Sequence, residues 1–179
     1  MTPAKTILVT GAGRGLGRAT AMKLARAGHR VVLAVRDRAS GEQAAAEIRG
    51  VVPGCELEVR SLDLAALASV RAFAAALVGE GRVVDVLLHN AGVMQQSRER
   101  RVTVDGLEET LAVNALAPFL LTRELLPALA RSSAARVVCV ASMLHMPGTR
   151  GEPVNFDFED PQLLRGYHPD RAYKNSKLA

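Results

Sequence analysis

Tryptophan is absent from the 179 residues, and all aromatics together make up 3%. A surface that stacks nucleobases has little to work with. Lys plus Arg number 23 against 18 Asp plus Glu, a net charge of +5. No basic run carries interleaved aromatics, so the excess suits a pocket for a phosphorylated ligand better than a nucleic-acid face, and no nucleic-acid partner is expected. Cysteine is nearly absent too. Cys55 and Cys139 each sit in an apolar, strand-like run, where a free thiol behaves as a small hydrophobe. Two thiols exclude a disulfide framework, and two thiols with four histidines make no zinc site, so no metal is expected. The expected setting is reducing and cytoplasmic. Long apolar runs are missing as well. Ile7-Leu8-Val9 stops at Thr10-Gly11, whereas a signal-peptide core needs about 7–15 apolar residues and a membrane span about 20. No membrane partner is expected.

What is present is the ordinary globular balance, 49% hydrophobic and 23% charged, in a length that suits one domain over residues 1–179. Short apolar runs alternate with Ala-rich helical stretches. Strands are predicted at Thr6–Thr10, Arg30–Val35, Glu56–Arg60, Val83–His89 and Arg136–Ala141. Helices are predicted from Gly15 to Ala27, from a Ser40 cap to Arg49, and from Ala65 to Val78 after Asp63. A long helix is predicted over Asp105–Arg131, kinked at Pro118, and a last one begins near Arg171. Between Met143 and Asp170 lies an irregular stretch rich in Pro, Gly and acids, in which His145 and His168 read as loop residues. VVLAV and RVVCVA are apolar on both faces, which argues for a parallel sheet covered by helices on both sides. The expected fold is α/β, a doubly wound parallel sheet of Rossmann type with strand order 3-2-1-4-5.

The most informative segment is Thr10-Gly11-Ala12-Gly13-Arg14-Gly15-Leu16-Gly17. It follows a strand and opens a helix. Glycines there let a pyrophosphate approach the backbone, and the helix N-terminus offers free N–H groups and partial positive charge. G-x-G-x-x-G fails, because Leu16 stands where its third glycine belongs. The phosphate-binding G-x-x-x-x-G-K also fails, with Ala12 and Arg18 at its required positions. T-G-x-x-x-G-x-G fits, on Thr10, Gly11, Gly15 and Gly17. Asn90-Ala91-Gly92 closes the fourth strand with His89 before it, Asn114 lies in the long helix, Ser142 ends the fifth strand, and Tyr173-Lys174-Asn175-Ser176-Lys177 reads Y-x-x-S-K. As a set these resemble the short-chain dehydrogenase/reductase family over essentially the whole chain. His89 departs from the family's first asparagine in N-N-A-G. Ser142 and Tyr173 are more widely separated than is usual there. Together with Asn155-Phe156-Asp157-Phe158-Glu159-Asp160, that spacing is similar to the branch holding retinol dehydrogenases, protochlorophyllide reductase and WW-domain oxidoreductase.

The resemblance implies an oxidoreductase that moves a hydride between a nicotinamide cofactor and a small carbonyl or alcohol substrate. Tyr173 would be the general acid/base, and Lys177, one helical turn on, would stabilise its phenolate and bind the nicotinamide ribose. Ser142 would hydrogen-bond the substrate oxygen, and Asn114 would hold a water in a proton relay to Lys177. Gly11, Arg14, Gly15, Leu16, Gly17, Arg36, Asp63, Leu64, Asn90, Ala91 and Gly92 would line the cofactor site with Tyr173 and Lys177. The position that carries an Asp in NAD-preferring members reads as Val35, with Arg36 after it and Arg14 in the loop. Two cations suit a 2′-phosphate, so NADP is expected over NAD. Asp37 is the counter-evidence, since in a longer strand its carboxylate reaches the ribose. The family continues past Lys177 with further strands and a substrate segment. The chain therefore reads as a C-terminally truncated domain whose fifth strand is a sticky edge inviting self-pairing into a homo-oligomer. The alternative is a non-catalytic dinucleotide-binding fragment.

Overall fold

The computed structural model describes residues 3–146 and 156–179, without the side chain of His145. Five parallel strands form one sheet in the order β3-β2-β1-β4-β5: β1 (Thr6–Thr10), β2 (Arg30–Val35), β3 (Leu57–Ser61), β4 (Val86–His89) and β5 (Arg136–Cys139). Helices α1 (Gly15–Arg26), α2 (Arg38–Val51) and α3 (Leu67–Gly79) connect the first four strands. The order is the one expected, that of a Rossmann-type fold.

Side chains alternate across the sheet with a period of two. Ile7, Val9, Val31, Leu33 and Val35 point to one face, where Ala21, Ala25, Ala44, Ala45 and Ile48 of α1 and α2 cover them. Leu8, Val32, Ala34 and Leu87 point to the other, against Val70, Phe73 and Leu77 of α3 and against Leu121 and Leu125. The register places Leu8 beside both Val32 and Leu87, all buried. Small residues let α2 sit close: a Cβ on Gly41 would lie 2.6 Å from Val35 Cγ2 and 2.7 Å from Val59 Cγ1. The outer edge of β3 is blunted by a charged cluster in which Arg60 pairs with Glu58 and Glu80, and Arg82 with the same two acids. At the amino end, Asp85 accepts from Thr6 N at 2.8 Å and from Ser132 Oγ at 2.6 Å. Burial alone would raise its carboxyl, but these hydrogen bonds outweigh it and hold the group below the usual carboxylate range.

Several expected boundaries move. Asp37, not Ser40, caps α2, accepting from Ala39 N and Ser40 N. The long helix expected over Asp105–Arg131 begins only at Glu109 and runs to Glu124 with a π-helical turn inside it, followed by one short further piece. Residues 102–108 form a turn closed by a Val102–Glu108 bridge. Glu108 then caps α4 (Glu109–Leu111), which runs into a π-helical turn (Ala112–Leu116), α5 (Ala117–Glu124) and α6 (Leu126–Leu129). Pro118 stands where the π-helical turn passes into α5, and with no N–H it offers the Asn114 carbonyl no α-helical partner. The last helix, α7 (Pro169–Leu178), starts earlier than expected. His168 caps it, its Nδ1 accepting from Asp170 N at 3.3 Å, so this histidine belongs to the helix start rather than to a free loop. The other expectation for the stretch before it, at Asn155, lies outside the described residues. β5 pairs only with β4, and its residues are exposed, Cys139 among them, so that thiol is not a buried hydrophobe.

Among the described side chains His89 is the one histidine in the core, 5% exposed, with Nε2 2.8 Å from Thr122 Oγ1. The Thr122 hydroxyl donates to Pro118 O at 2.9 Å, so its oxygen is left to accept and Nε2 carries the proton. Nδ1 is buried with no partner among the described residues. Burial pushes the imidazole down to about 4, from an ordinary 6.5. The folded state thus prefers neutral His89. Its contribution is complete above pH 6.5 and fades as pH falls toward 4, where the unfolded chain binds a proton that the folded one refuses, a loss of roughly 3 kcal/mol at most. Urea midpoints measured between pH 7 and 4.5 should fall more steeply for the parent than for His89→Asn; equal slopes would show that His89 does not carry the acid sensitivity.

Candidate active site

Gly11, Gly15 and Gly17 lie where β1 ends and α1 begins, and Gly11 and Gly15 have φ of +67° and +55°. That is the left-handed region, which L side chains enter at a cost. At Gly17 the constraint is space. A Cβ there would lie 2.4 Å from Gly11 O and 2.5 Å from Asn90 Nδ2. Asn90 in turn donates from Nδ2 to Thr10 O at 2.8 Å, while Thr10 Oγ1 accepts from Asn90 N at 3.1 Å and Ala91 N at 3.0 Å. The ends of β1 and β4 and the start of α1 are thus locked together. Thr10 belongs among the site residues and was not singled out from sequence, although it is the first letter of the motif that was.

Above this junction opens a cavity of about 610 Å³ at the carboxyl end of the sheet, where open α/β sheets take their ligands. Gly11, Arg14, Gly15, Leu16, Gly17, Arg36, Asp63, Leu64, Asn90, Ala91 and Gly92 all line it. Arg14 and Arg36 are exposed and engage no carboxylate among the described residues. Asp37 also borders the cavity, but its two carboxylate oxygens accept from Ala39 N at 3.2 Å and Ser40 N at 3.1 Å. Asp63 caps its own turn, accepting from Ala65 N at 2.9 Å. Gly13, which borders Ser40 Oγ, joins the lining unanticipated.

The second half of the constellation stands at the rim. Asn114 sits in the middle of the π-helical turn, a geometry frequent at functional positions. Its amide is committed three times: Oδ1 accepts from Val93 N at 2.8 Å, and Nδ2 donates to Val93 O and to Ser176 Oγ, both at 2.9 Å. Ser176 donates to Tyr173 O at 2.8 Å, joining the Asn114 turn to α7. Lys177 Nζ donates to Val140 O at 3.0 Å, and Val140 lines the cavity. It also lies 5.9 Å from the Tyr173 ring centroid. A Cβ on Gly92 would stand 3.4 Å from Asn114 Oδ1 and 3.6 Å from Lys177 Nζ, so these two side chains converge on one glycine of the cavity wall. Ser142 lies three residues past the end of β5 rather than at its end, and caps a 3₁₀ turn (Met143–His145) through Leu144 N. Ser176, a linking residue here, was passed over as a motif letter.

The family model for short chain dehydrogenases matches residues 5–154. The chain belongs to that family. Among curated proteins it is 42% identical to retinol dehydrogenase 13 of Homo sapiens over 178 residues, 99% of this chain and 51% of that one. It is 43% identical to retinol dehydrogenase 14 of Homo sapiens over 188 aligned positions, 98% of this chain and 54% of that one. This places it in a retinol dehydrogenase-like branch. The chain spans about half the length of these relatives. A crystal structure of an uncharacterized protein from Mycobacterium paratuberculosis matches with a TM-score of 0.80 and 40% identity, over 98% of this chain and 59% of that one. A metagenomic short-chain oxidoreductase in complex with NADP matches with a TM-score of 0.71 and 31% identity, over 97% of this chain and 69% of that one. Among the described residues no helix is long and apolar enough to cross a membrane.

The tight approach at Gly17 gives a direct test. Gly17→Ala must push Gly11 or Asn90 aside, so dinucleotide binding measured by titration calorimetry should drop below detection while the sheet's circular dichroism persists. Affinity kept within a few-fold would show that the loop yields without disturbing the cavity.

Proposed function

We propose that this chain carries the dinucleotide-binding and proton-transfer half of an NADP(H)-dependent oxidoreductase acting on a carbonyl or alcohol. The observation that supports it is the convergence of Asn114 and Lys177 on Gly92, at the edge of a cavity floored by the glycine loop. A binding module needs the loop but not that second group. The glycine cradle fits a pyrophosphate: its closest approaches leave no room for a Cβ, and the N-terminus of α1 faces the cavity with its first N–H groups free for anion binding. A bound nicotinamide supplies the hydride for carbonyl reduction, or accepts it in the reverse direction.

The chain's own residues handle the proton. In reduction, the Tyr173 hydroxyl gives its proton to the substrate oxygen as that oxygen gains negative charge, and in oxidation the phenolate takes it back. The Lys177 ammonium, one turn along α7, sets positive charge beside the ring and so favours the proton leaving. Ser142 Oγ donates to the same substrate oxygen. Asn114 holds the Val93 backbone and Ser176, which keeps α7 against the cavity, and a water bound beside Lys177 would restore the proton. Retinol is what the related dehydrogenases are named for, and retinol with its aldehyde is the first pair to try.

NADP is favoured over NAD by the same geometry. Arg14 and Arg36 line the cavity and engage no carboxylate among the described residues, and a guanidinium binds a phosphate through two parallel hydrogen bonds. The competing acid, Asp37, is already occupied as the α2 cap. Arg36→Ala should therefore weaken NADPH binding roughly ten- to hundredfold and NADH little, because a charge-assisted hydrogen bond is worth about 1.5–3 kcal/mol. Fluorescence titration of the parent with both cofactors is the check, and equal affinities would overturn the preference.

Tyr173→Phe tests the proton donor. The ring still packs, so NADPH affinity should stay within about twofold while retinaldehyde reduction falls by at least 10²-fold, the upper part of the usual range for losing a general acid. Turnover close to the parent's would remove Tyr173 from the chemistry.

A further inference from the structure

Residues 156–168 do no chemistry in the proposal above, yet they are held far more firmly than a connecting loop requires. Asp160 is 5% exposed and accepts from Leu164 N at 2.8 Å and Arg165 N at 2.9 Å. Leu163 is 2% exposed with φ of +51°. A bulky residue adopts that left-handed conformation only when its surroundings determine it. Between them stands Gln162. Its side-chain oxygen accepts from the backbone N–H of Glu108 at 3.0 Å, and Arg100 donates to both its main-chain and side-chain oxygens, at 2.9 and 3.4 Å.

Glu108 itself is 1% exposed, and its carboxylate accepts from Thr110 N at 3.0 Å and Leu111 N at 2.6 Å. Those N–H groups open the short helix that passes directly into the π-helical turn bearing Asn114. On the other side, the chain leaves Gln162 through Leu163 and Tyr167 to the His168 cap of α7, which bears Tyr173 and Lys177. Tyr167 packs its buried hydroxyl near Thr110 and Glu108, and burial raises its phenol above the usual value.

We propose that Gln162 is a positioning residue: its bond to the Glu108 N–H fixes the turn that carries Asn114 against the segment that delivers Tyr173 and Lys177. Two elements far apart in sequence thereby share one reference point. The bond from Asn114 to Ser176 then closes the connection from the opposite side. A hydrogen bond suits this task better than apolar packing, because it fixes direction as well as distance. Reacting groups displaced by about 1 Å cost as much as 10²-fold in rate.

The kinetic arm of the test rests on the carbonyl-reduction reading, and the spectroscopic arm does not. Gln162→Met keeps the length of the side chain and removes the acceptor. Its far-UV circular dichroism and NADPH affinity should match the parent's, while the Asn114 side-chain amide resonances shift. Its kcat for retinaldehyde should fall ten- to hundredfold with KM nearly unchanged. Gln162→Glu, which keeps an acceptor oxygen, should recover most of the rate. Arg100→Ala, outside the cavity, should act in the same direction more weakly and keeps the test decisive if Gln162→Met is insoluble. Unmoved Asn114 resonances, or a rise in KM at constant kcat, would overturn the proposal. If the parent itself reduces no aldehyde, the functional reading fails, and the resonances alone decide whether Gln162 positions Asn114.

Discussion

Two backbone segments and the side-chain amide of Asn90 meet at the point where Gly17 has no side chain. The carbonyl of Gly11 and the amide of Asn90 both occupy space that any larger residue would need. Because they do, β1 and β4 end and α1 begins at the same level, and Thr10 can bond Asn90 and Ala91 with a single hydroxyl. That level is the floor of the cavity. Gly92, two residues beyond Asn90, then falls where Asn114 and Lys177 can both reach it. Loosen the contact at Gly17 and the floor tilts, the wall at Gly92 moves, and the two side chains lose their common point. The apolar layers on either side of the sheet explain why the strands lie as they do, but this contact explains why their ends form a site.

The charged residues around the cavity divide by what their neighbours already demand. Asp37 begins α2, and its carboxylate takes the first free N–H groups of that helix. Capping is worth about 1 kcal/mol, and it turns the oxygens toward the helix. Arg14 and Arg36 have no such obligation, although elsewhere in the fold Arg18, Arg60 and Arg82 find carboxylates. The cavity lining therefore sets two guanidinium groups and the N-terminal end of α1 beside two carboxylates, of Asp37 and Asp63, that already accept from backbone N–H groups.

Strands β1 and β2 were legible to the residue, because an apolar run flanked by Thr-Gly or Gly-His leaves little freedom in where it starts and stops. The glycine loop was legible for the same reason: each glycine answers a local steric demand. The segment from Asp105 to Arg131 misled, since its apolar period is helical throughout while the helix itself begins only at Glu109. Its late start is set by the buried Glu108, which caps the helix with its carboxylate and bonds Gln162, 54 positions away, through its N–H, and no local pattern announces such a pairing. Ser40 looked like a cap, but Asp37, three positions earlier, takes Ala39 N and Ser40 N with its two carboxylate oxygens, and the Ser40 hydroxyl donates back to Asp37 O. Ser142 was assigned to the end of β5 on the strength of Val140 and Ala141. The strand stops at Cys139, and past that residue the chain turns to cap its own 3₁₀ turn. His168 gave no sign of its role because a capping histidine is uncommon beside Ser, Thr, Asp and Asn.

The two halves of the site are held by different physics. The dinucleotide half rests on the sheet, whose strand ends are fixed by buried Leu, Val and Ala packed on two faces. Such packing is strong and largely indifferent to direction, and it sets the cavity's shape as a consequence of folding at all. The half to which we assign proton transfer rests on α7, which is in no strand layer among the described residues. Besides the burial of Pro169 and Ala172, its place is fixed by a few directional bonds: Lys177 to Val140, Asn114 to Ser176, and Gln162 to Glu108. Each is worth about 1 kcal/mol in stability, and in the proposed mechanism each would govern where a reacting atom stands. Substitutions in the first half should thus register mainly in stability and cofactor affinity, and substitutions in the second mainly in rate. The separation follows from where the core lies: the two hydrophobic layers end at the strand tips, and beyond them a few buried apolar residues such as Leu163 and Ala172 leave direction to the hydrogen bonds.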